Sequence, residues 1–165
     1  MDAYLFCPYQ TLLFTTFKSY DRKKEMEKVM DFLSKSYSEI SNYSSYPLIL
    51  KVAPNAPCAP IAIRILTGLP EEDIISKLDS LDRSWRKEGV CDYHALQVIK
   101  SAGLGFYSLA PKLVSEAHFR MMHPRGDFYI STYGHAYVIS NSITYDPYGP
   151  RGRRRVHTAY RIERN

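Results

Sequence analysis

Hydrophobic residues in the first third of the chain recur at the spacing of a helix. Between residues 21 and 33 they stand three or four positions apart, which predicts an amphipathic helix whose apolar face carries Met26, Val29, Met30 and Leu33. Residues 34–46 are rich in serine and tyrosine, a composition typical of a linker. The short apolar run over residues 48–52 is interpreted as a strand or a docked extended segment.

Three helices are predicted to follow this run. The residues after Cys58 are apolar on nearly all sides, as expected of a buried central helix, and Gly68 would end it. A proline followed by three carboxylates, over residues 70–73, has the composition of a second helix start. Asp92 is predicted to cap a third helix, which covers residues 93–100.

The pattern changes to short strands after residue 104. Strands are predicted over residues 106–109, 128–131, 135–140, 143–145 and 156–162. A short helix is predicted among them, near residues 112–122, and Asn141-Ser142 has the length of a tight hairpin turn. Helices first and strands second is an α+β order, so we expect N-terminal helices, with the Cys58 helix at the centre, packed on a C-terminal antiparallel sheet.

Length and composition indicate one globular domain. The chain has 165 residues, of which 45% are hydrophobic and 24% charged, ordinary values for a domain with a hydrophobic core. We expect a single domain over residues 1–165, in which residues 1–46 form a helical extension and linker and residues 47–165 form the core. No apolar run is long enough for a membrane span, and the first residues lack the features of a signal peptide.

The three cysteines, Cys7, Cys58 and Cys91, are widely separated. An odd number of cysteines does not suggest a disulfide framework, and the lack of a Cys-x-x-Cys motif argues against structural zinc. The histidines without metal-ligand spacing to a cysteine or carboxylate are His118, His123 and His157. We therefore expect a reducing cytoplasm, where a free thiol stays reactive, and neither a metal nor a cofactor.

The net charge of +5 gathers near the end of the chain. Four arginines form a cluster there: Arg151, Arg153, Arg154 and Arg155. Such a cluster can contact nucleic acid or an acidic protein. The alternative, which we favour, is a solvated loop leading into an edge strand, because one short cluster is weaker evidence than a basic face.

Three residues supply the parts of a nucleophilic site. Cys58 stands at a predicted helix start, where unpaired backbone N–H groups and the helix dipole favour the thiolate. His135 on a predicted strand is a candidate base, and Asp146 after the next strand can fix its tautomer. Each has a simpler explanation, respectively a buried thiol, a core histidine and a turn former. Their order and complementary roles favour a catalytic set.

Cys91 and His94 form a rival pair. They stand three residues apart on a predicted helix, so their side chains would lie on one face. No third residue that could orient the histidine accompanies them, and we therefore rank this pair below Cys58.

Four short motifs follow one another in the core: Asn55-Ala56-Pro57-Cys58, Thr67-Gly68-Leu69-Pro70, Gly134-His135-Ala136-Tyr137-Val138-Ile139 and Tyr145-Asp146-Pro147. Together they resemble the papain-like cysteine peptidase superfamily, and most closely its small phage, viral and bacterial-effector members. The likeness covers roughly residues 47–162. It implies a papain-like fold with Cys58 as nucleophile, His135 as base and Asp146 as the residue that orients the base.

The resemblance also raises the question of how an oxyanion would be bound. Papain-like enzymes usually carry a glutamine a few residues before the nucleophile, and Val52 occupies that spacing here. The side-chain amide of Asn55, or the backbone N–H of Cys58 with another donor, would take its place.

Two functions of different classes follow from the resemblance. The first is a cysteine hydrolase, either a peptidase, an isopeptidase or an amidase, that acts on a peptide or protein substrate through a thioester. The second is an inactive scaffold of the same fold, a phage-encoded or host-modulating binding protein whose tyrosines and arginine cluster form the contact surface. In a phage or viral protein the compartment would be the host cytoplasm.

Overall fold

The computed structural model of the protein describes residues 45–110, 113–146, 148 and 154–164. Its helices are α1 (Pro47–Val52), α2 (Cys58–Thr67), α3 (Glu71–Leu81), α4 (Trp85–Glu88), α5 (Asp92–Ser101) and α6 (Glu116–Met122). Its strands are β1 (Leu104–Leu109), β2 (Asp127–Thr132), β3 (His135–Ser140), β4 (Ile143–Tyr145) and β5 (Thr158–Arg164). The helix predicted over residues 21–33, and Cys7, lie outside the described residues. No helix in the described part combines the length and apolar character needed to cross a membrane.

The five strands form one sheet in the order β1-β5-β2-β3-β4, and every neighbouring pair is antiparallel. This confirms the predicted α+β class with an antiparallel sheet. β5 lies inside the sheet, between β1 and β2, so the prediction of an edge strand after the arginine cluster was wrong. The arginines precede the strand rather than lie along it, since β5 begins only at Thr158, and Arg155 forms an isolated bridge with Ser115.

Two tight hairpins connect β2, β3 and β4. Asn141 and Ser142 join β3 to β4 with φ angles of 48° and 66°, the positive values that a type I′ turn requires, which confirms the predicted hairpin. In this hairpin Val138 pairs with Tyr145. The chain after β4 therefore runs back toward the first residue of β3, and this return brings Asp146 close to that residue.

Helices cover both faces of the sheet, because successive strand residues point to opposite sides. One core cluster joins α2, α3 and α5 to the sheet and includes Ile63, Leu78, Ile99, Tyr129 and Val138. The other joins α6 to the opposite face and includes Phe119, Phe128, Ile130, Tyr137 and Ile139. The sheet is thus the middle layer of three, with most of the helical surface on one side.

The helix that carries Cys58 matches its prediction at both ends. α2 begins at Cys58 and ends before Gly68, whose φ of 71° is the left-handed conformation that commonly follows a helix. Ile61 and Ile63 are fully buried, and the helix packs against β3. Cys58 therefore lies in the first turn of a buried helix that rests on the strand beginning with His135, as predicted.

Two local predictions were wrong, and a third was confirmed with a later start. Residues 48–52 belong to the helix α1, because Pro47 suits a first helical turn and the periodicity of so short an apolar run is ambiguous. Asp92 is the first residue of α5 rather than its cap, and its side chain bonds to Ser131 instead. The helix near residues 112–122 starts at Glu116, capped by the hydroxyl of the preceding serine.

Candidate active site

Two prolines shape the helix start around Cys58. Pro57 occupies the N-cap position and Pro60 the third position of the helix, and neither has a backbone N–H group to donate. The N–H of Ile61 already donates to the carbonyl of Pro57 at 3.0 Å. The first turn therefore has two N–H groups without intrahelical acceptors, those of Cys58 and Ala59. The N–H of Ala59 donates to the Cys58 thiol, which leaves the N–H of Cys58 for a ligand.

His135, the first residue of β3, links Cys58 to Asp146. Its Nε2 lies 3.0 Å from Oδ1 of Asp146. The Cys58 thiol forms a hydrogen bond with the same imidazole. Because Nε2 is engaged by the carboxylate, Nδ1 is the nitrogen available to the sulfur. The three residues that sequence analysis selected are thus brought together in the order nucleophile, imidazole and carboxylate.

Two tyrosine rings hold the imidazole of His135 in place. The ring of Tyr137 stacks on it at a centroid distance of 5.8 Å and an angle of 19°. The ring of Tyr148 meets it edge-on at 5.1 Å and 73°. These contacts limit rotation of the imidazole, so both of its nitrogens keep their partners.

Asp146 is buried and accepts hydrogen bonds from three donors. Besides His135, its Oδ1 accepts from the backbone N–H of Tyr148 at 2.9 Å, and its Oδ2 accepts from Nη1 of Arg154 at 2.5 Å. The Arg154 guanidinium also lies 5.0 Å from the centre of the Tyr137 ring, a cation–π contact. The sequence placed Arg154 in a basic cluster that would either contact a partner or form a solvated loop; in the structure its side chain is only 12% exposed and pairs with Asp146.

The pKa values of Cys58 and His135 shift in opposite directions. Burial alone would raise the pKa of the Cys58 thiol, but hydrogen bonds from His135 and from the N–H of Ala136 outweigh it and hold the pKa below its usual 9.0. Burial alone would lower the pKa of His135, whereas its hydrogen bonds with Asp146 and Cys58 raise it from 6.5 to about 9. Both shifts move the pair toward the thiolate and the imidazolium.

The same contacts keep Asp146 ionised. Burial would raise the pKa of its carboxyl, but the interactions with His135, the N–H of Tyr148 and Arg154 together hold that pKa below 3.8. Arg154 balances the negative charge of the carboxylate. Asp146 can therefore orient the imidazolium without taking its proton.

Cys58 and His135 lie where two surface cavities meet. The first cavity has a volume of about 530 Å³ and is also lined by Asn55, Tyr148 and Arg154. The second has a volume of about 430 Å³ and is also lined by Ala59, Cys91, Asp92 and His94. Both volumes lie in the range of ligand-binding pockets. Asn55, selected from the sequence as an oxyanion donor, thus borders the same cavity as the thiol.

The rival pair, Cys91 and His94, lies in the second cavity. Across the described residues, no hydrogen bond joins these two side chains. The His94 ring lies against Tyr93 at a centroid distance of 5.7 Å. This pair lacks the direct contact that Cys58 makes with His135.

Other residues selected from the sequence lie apart from this contact chain. Arg155 is exposed and borders the first cavity, whereas Arg151 and Arg153 lie outside the described residues. In the part of the chain that the structure describes, no group of three or more histidine, cysteine, aspartate or glutamate residues could hold a metal ion.

The opposite pKa shifts predict how Cys58 reacts with iodoacetamide as the pH changes. The alkylation rate follows the thiolate, so its inflection should lie below pH 9.0. His135→Ala should move the inflection upward, because the hydrogen bond and positive charge that favour the thiolate are lost. Mass spectrometry at each cysteine measures both rates, with the exposed Cys91 as an internal control. A wild-type inflection at pH 9.0 or above would contradict the thiolate–imidazolium pair. An inflection at the same pH in wild type and in His135→Ala would contradict it too.

The candidate site is assembled from the start of α2, the start of β3 and the segment after β4, with Arg154 added from the segment before β5. Comparisons of the chain with protein-family models, with curated proteins and with solved structures find no match.

Proposed function

We propose that the protein is a cysteine hydrolase that cleaves a peptide, isopeptide or amide bond through a thioester intermediate. The observation that carries this proposal is the continuous contact from the Cys58 thiol to the His135 imidazole and on to the Asp146 carboxylate. A cysteine that served only as a small buried hydrophobe would need none of these partners. The cavities that meet at the thiol supply the access that a substrate requires.

The reaction would begin with attack of the Cys58 thiolate on the substrate carbonyl carbon, which forms a C–S bond and moves the carbonyl electron pair onto oxygen. The tetrahedral intermediate then collapses, the C–N bond breaks, and His135 gives its Nδ1 proton to the departing amine. Neutral His135 next takes a proton from water as the water attacks the thioester. The second tetrahedral intermediate collapses, the C–S bond breaks, and the acid product leaves with the thiolate and imidazolium restored.

Two donors would stabilise the negative oxygen of the tetrahedral intermediate. One is the backbone N–H of Cys58. At this helix start the two prolines have no N–H group and the N–H of Ala59 is bound to the sulfur, so the N–H of Cys58 is the remaining donor. The other is the side-chain amide of Asn55, which borders the same cavity. Removal of one such donor typically costs about 10²- to 10³-fold in turnover.

We extend the proposal to the papain-like superfamily. A nucleophile on a helix, followed in the chain by histidine on an antiparallel strand and a carboxylate after the next strand, is the arrangement that the resemblance implied. The mechanism needs a reduced thiol, so the proposed compartment is a reducing cytoplasm, that of a host if a phage or virus encodes the protein.

Two electrophiles test whether Cys58 belongs to a site that stabilises an oxyanion or is only a reactive thiol. A peptide aldehyde forms a hemithioacetal whose oxygen takes the oxyanion position, whereas iodoacetamide reacts by displacement and forms no oxyanion. Asn55→Ala is expected to weaken aldehyde binding at least about tenfold and to leave the iodoacetamide rate unchanged. The measurements are aldehyde protection of Cys58 from labelling and the labelling rate itself.

Tyr133→Ala is the matched control for this experiment. Tyr133 borders the same cavity and is 95% exposed, so its removal should affect neither reagent. If the aldehyde binds equally well to wild type and to Asn55→Ala, Asn55 does not stabilise the oxyanion. If the aldehyde does not bind wild type at all, the hydrolase is rejected and the inactive binding scaffold remains.

A further inference from the structure

The two cavities adjoin at Cys58, and we call them together the cleft. They share six lining residues: Cys58, Glu88, Gly89, Thr132, Gly134 and His135. The end of α4 and the turn between β2 and β3 therefore border both cavities. A chain lying in this cleft would extend to both sides of the nucleophile, with its scissile bond in the middle.

One end of the cleft is positively charged. We call it the basic arm, the part of the first cavity that is lined by Lys87, Arg154, Arg155 and His157 and not shared with the second. Arg154 is neutralised by Asp146. Lys87 and Arg155 are exposed, and within the described residues neither pairs with a carboxylate. Among the described residues that line the first cavity, Glu88 is the one carboxylate, and the second cavity shares it.

The opposite end is negatively charged. We call it the acidic arm, the part of the second cavity that is lined by Asp82, Ser84, Cys91, Asp92 and His94 and not shared with the first. No lysine or arginine among the described residues lines it. The Asp82 carboxylate accepts from the N–H of Ser84 at 2.8 Å and from its hydroxyl at 2.7 Å. These bonds fix the carboxylate at the cleft and hold its pKa below 3.8.

We propose that the cleft takes a peptide segment with opposite charges on the two sides of the scissile bond, an anionic side chain in the basic arm and a cationic one in the acidic arm. This inference rests on the proposed function, because that function makes the cleft the substrate site. Each exposed ion pair is worth up to about fivefold in affinity. A segment of the reverse polarity meets like charges at both ends and is rejected.

Four labelled peptides of equal length and with one neutral core provide the test. One has glutamates before the core and lysines after it, the second has the reverse order, the third is acidic at both ends, and the fourth is neutral. Binding is measured by fluorescence anisotropy and cleavage by mass spectrometry. One of the two dipolar orders, set by the direction of the chain in the cleft, should bind roughly tenfold more tightly than the other three. High salt should remove this difference in affinity, because it screens the interactions between exposed charges.

Charge-reversed variants make the test decisive. Arg155→Glu and Asp82→Lys should each weaken binding of the preferred peptide. Their double variant is made together with Lys87→Gln and Asp92→Asn, which remove the remaining charge of the original sign from each arm, and it should prefer the opposite dipolar order. Such a gain of binding cannot arise from misfolding. The neutral variants Arg155→Gln and Asp82→Asn should lose the preference without inverting it, and Asp82→Asn keeps an acceptor for Ser84.

The outcomes separate this inference from the proposed function. A neutral peptide that binds as tightly as either dipolar one, or a double variant with the wild-type preference, overturns the inference even if all four peptides are cleaved. A preference that inverts in the double variant while no peptide is cleaved supports the polarity of the cleft and counts against the hydrolase.

Discussion

Replacing Cys58 with alanine is expected to abolish hydrolysis, with a loss of roughly 10⁴-fold or more in kcat/KM. His135→Ala should cost nearly as much, because the thiol then loses the base that forms the thiolate and the acid that protonates the leaving amine. The double variant should be scarcely worse than Cys58→Ala alone, since groups that act as one unit give non-additive losses. The measurement is kcat/KM for the three variants on the best-cleaved peptide.

Cys91→Ala is the matched control for the loss of a thiol. Cys91 borders the same cleft but, among the described residues, shares no hydrogen bond with His135, so hydrolysis should persist. Independent losses that multiply in the Cys58 and His135 double variant would mean that the two residues do not act together. A large loss of kcat/KM in Cys91→Ala would instead favour Cys91 and His94 as the catalytic pair.

The second large effect is expected at Asp146, where one substitution should lower both activity and stability. Asp146→Ala removes the acceptor of His135 and leaves Arg154 nearly buried without its anion. Breaking a buried ion pair in this way costs about 3–5 kcal/mol in the free energy of unfolding. We expect kcat/KM to fall by roughly 10²-fold, less than for His135→Ala, because Asp146 orients the base without taking the proton. Urea unfolding and kcat/KM give the two values.

The destabilisation should depend on pH in a defined direction. The folded protein raises the pKa of His135 from 6.5 to about 9, so this contribution to stability is complete below pH 6.5 and is lost as the pH rises through 9. It lowers the pKa of Asp146 below 3.8, so that contribution is complete above pH 3.8 and is lost as the pH falls further. The effect of Asp146→Ala should therefore be largest between pH 3.8 and 6.5. A cost that stayed constant up to pH 9 would contradict the coupling to His135.

A second pair of variants distinguishes how much each partner of Asp146, His135 or Arg154, contributes to stability. Asp146→Asn keeps an acceptor for His135 but leaves the Arg154 charge unbalanced. Combining it with Arg154→Leu removes that charge and should recover most of the lost stability, since the buried cation is no longer present. If the double variant is as unstable as Asp146→Asn alone, the cost does not come from Arg154.

The predictions that the structure confirms depend on local signals. Gly68 ends α2 because its backbone adopts the left-handed conformation, and Asn141-Ser142 fits a two-residue turn. The same turn explains why the sequence alone could predict that His135 and Asp146 lie close together. Strands joined by two residues run side by side, so the residue after the second strand must return to the start of the first.

The features that sequence analysis missed depend on contacts between distant parts of the chain. The four-residue helix α4 has too few residues for a periodic pattern, and it is held by burial of Trp85, whose indole N–H donates to Asp79 at 3.0 Å. The role of Arg154 depends on where β5 enters the sheet, which no local motif encodes. The catalytic roles of Cys58, His135 and Asp146 stay predictions until the variants are measured.

The interior position of β5 makes one contact of the site, that of Arg154 with Asp146, depend on a completed sheet. β1 and β2 follow one another in the chain but are separated in the sheet by β5, so the sheet cannot close before that later strand inserts. Such non-local pairings make folding slow. Arg154 directly precedes β5 and reaches Asp146 only once the strand is in place. The charge balance of the buried Asp146 carboxylate therefore depends on a strand that lies far along the chain from the hairpin that carries His135, and it belongs to the finished sheet.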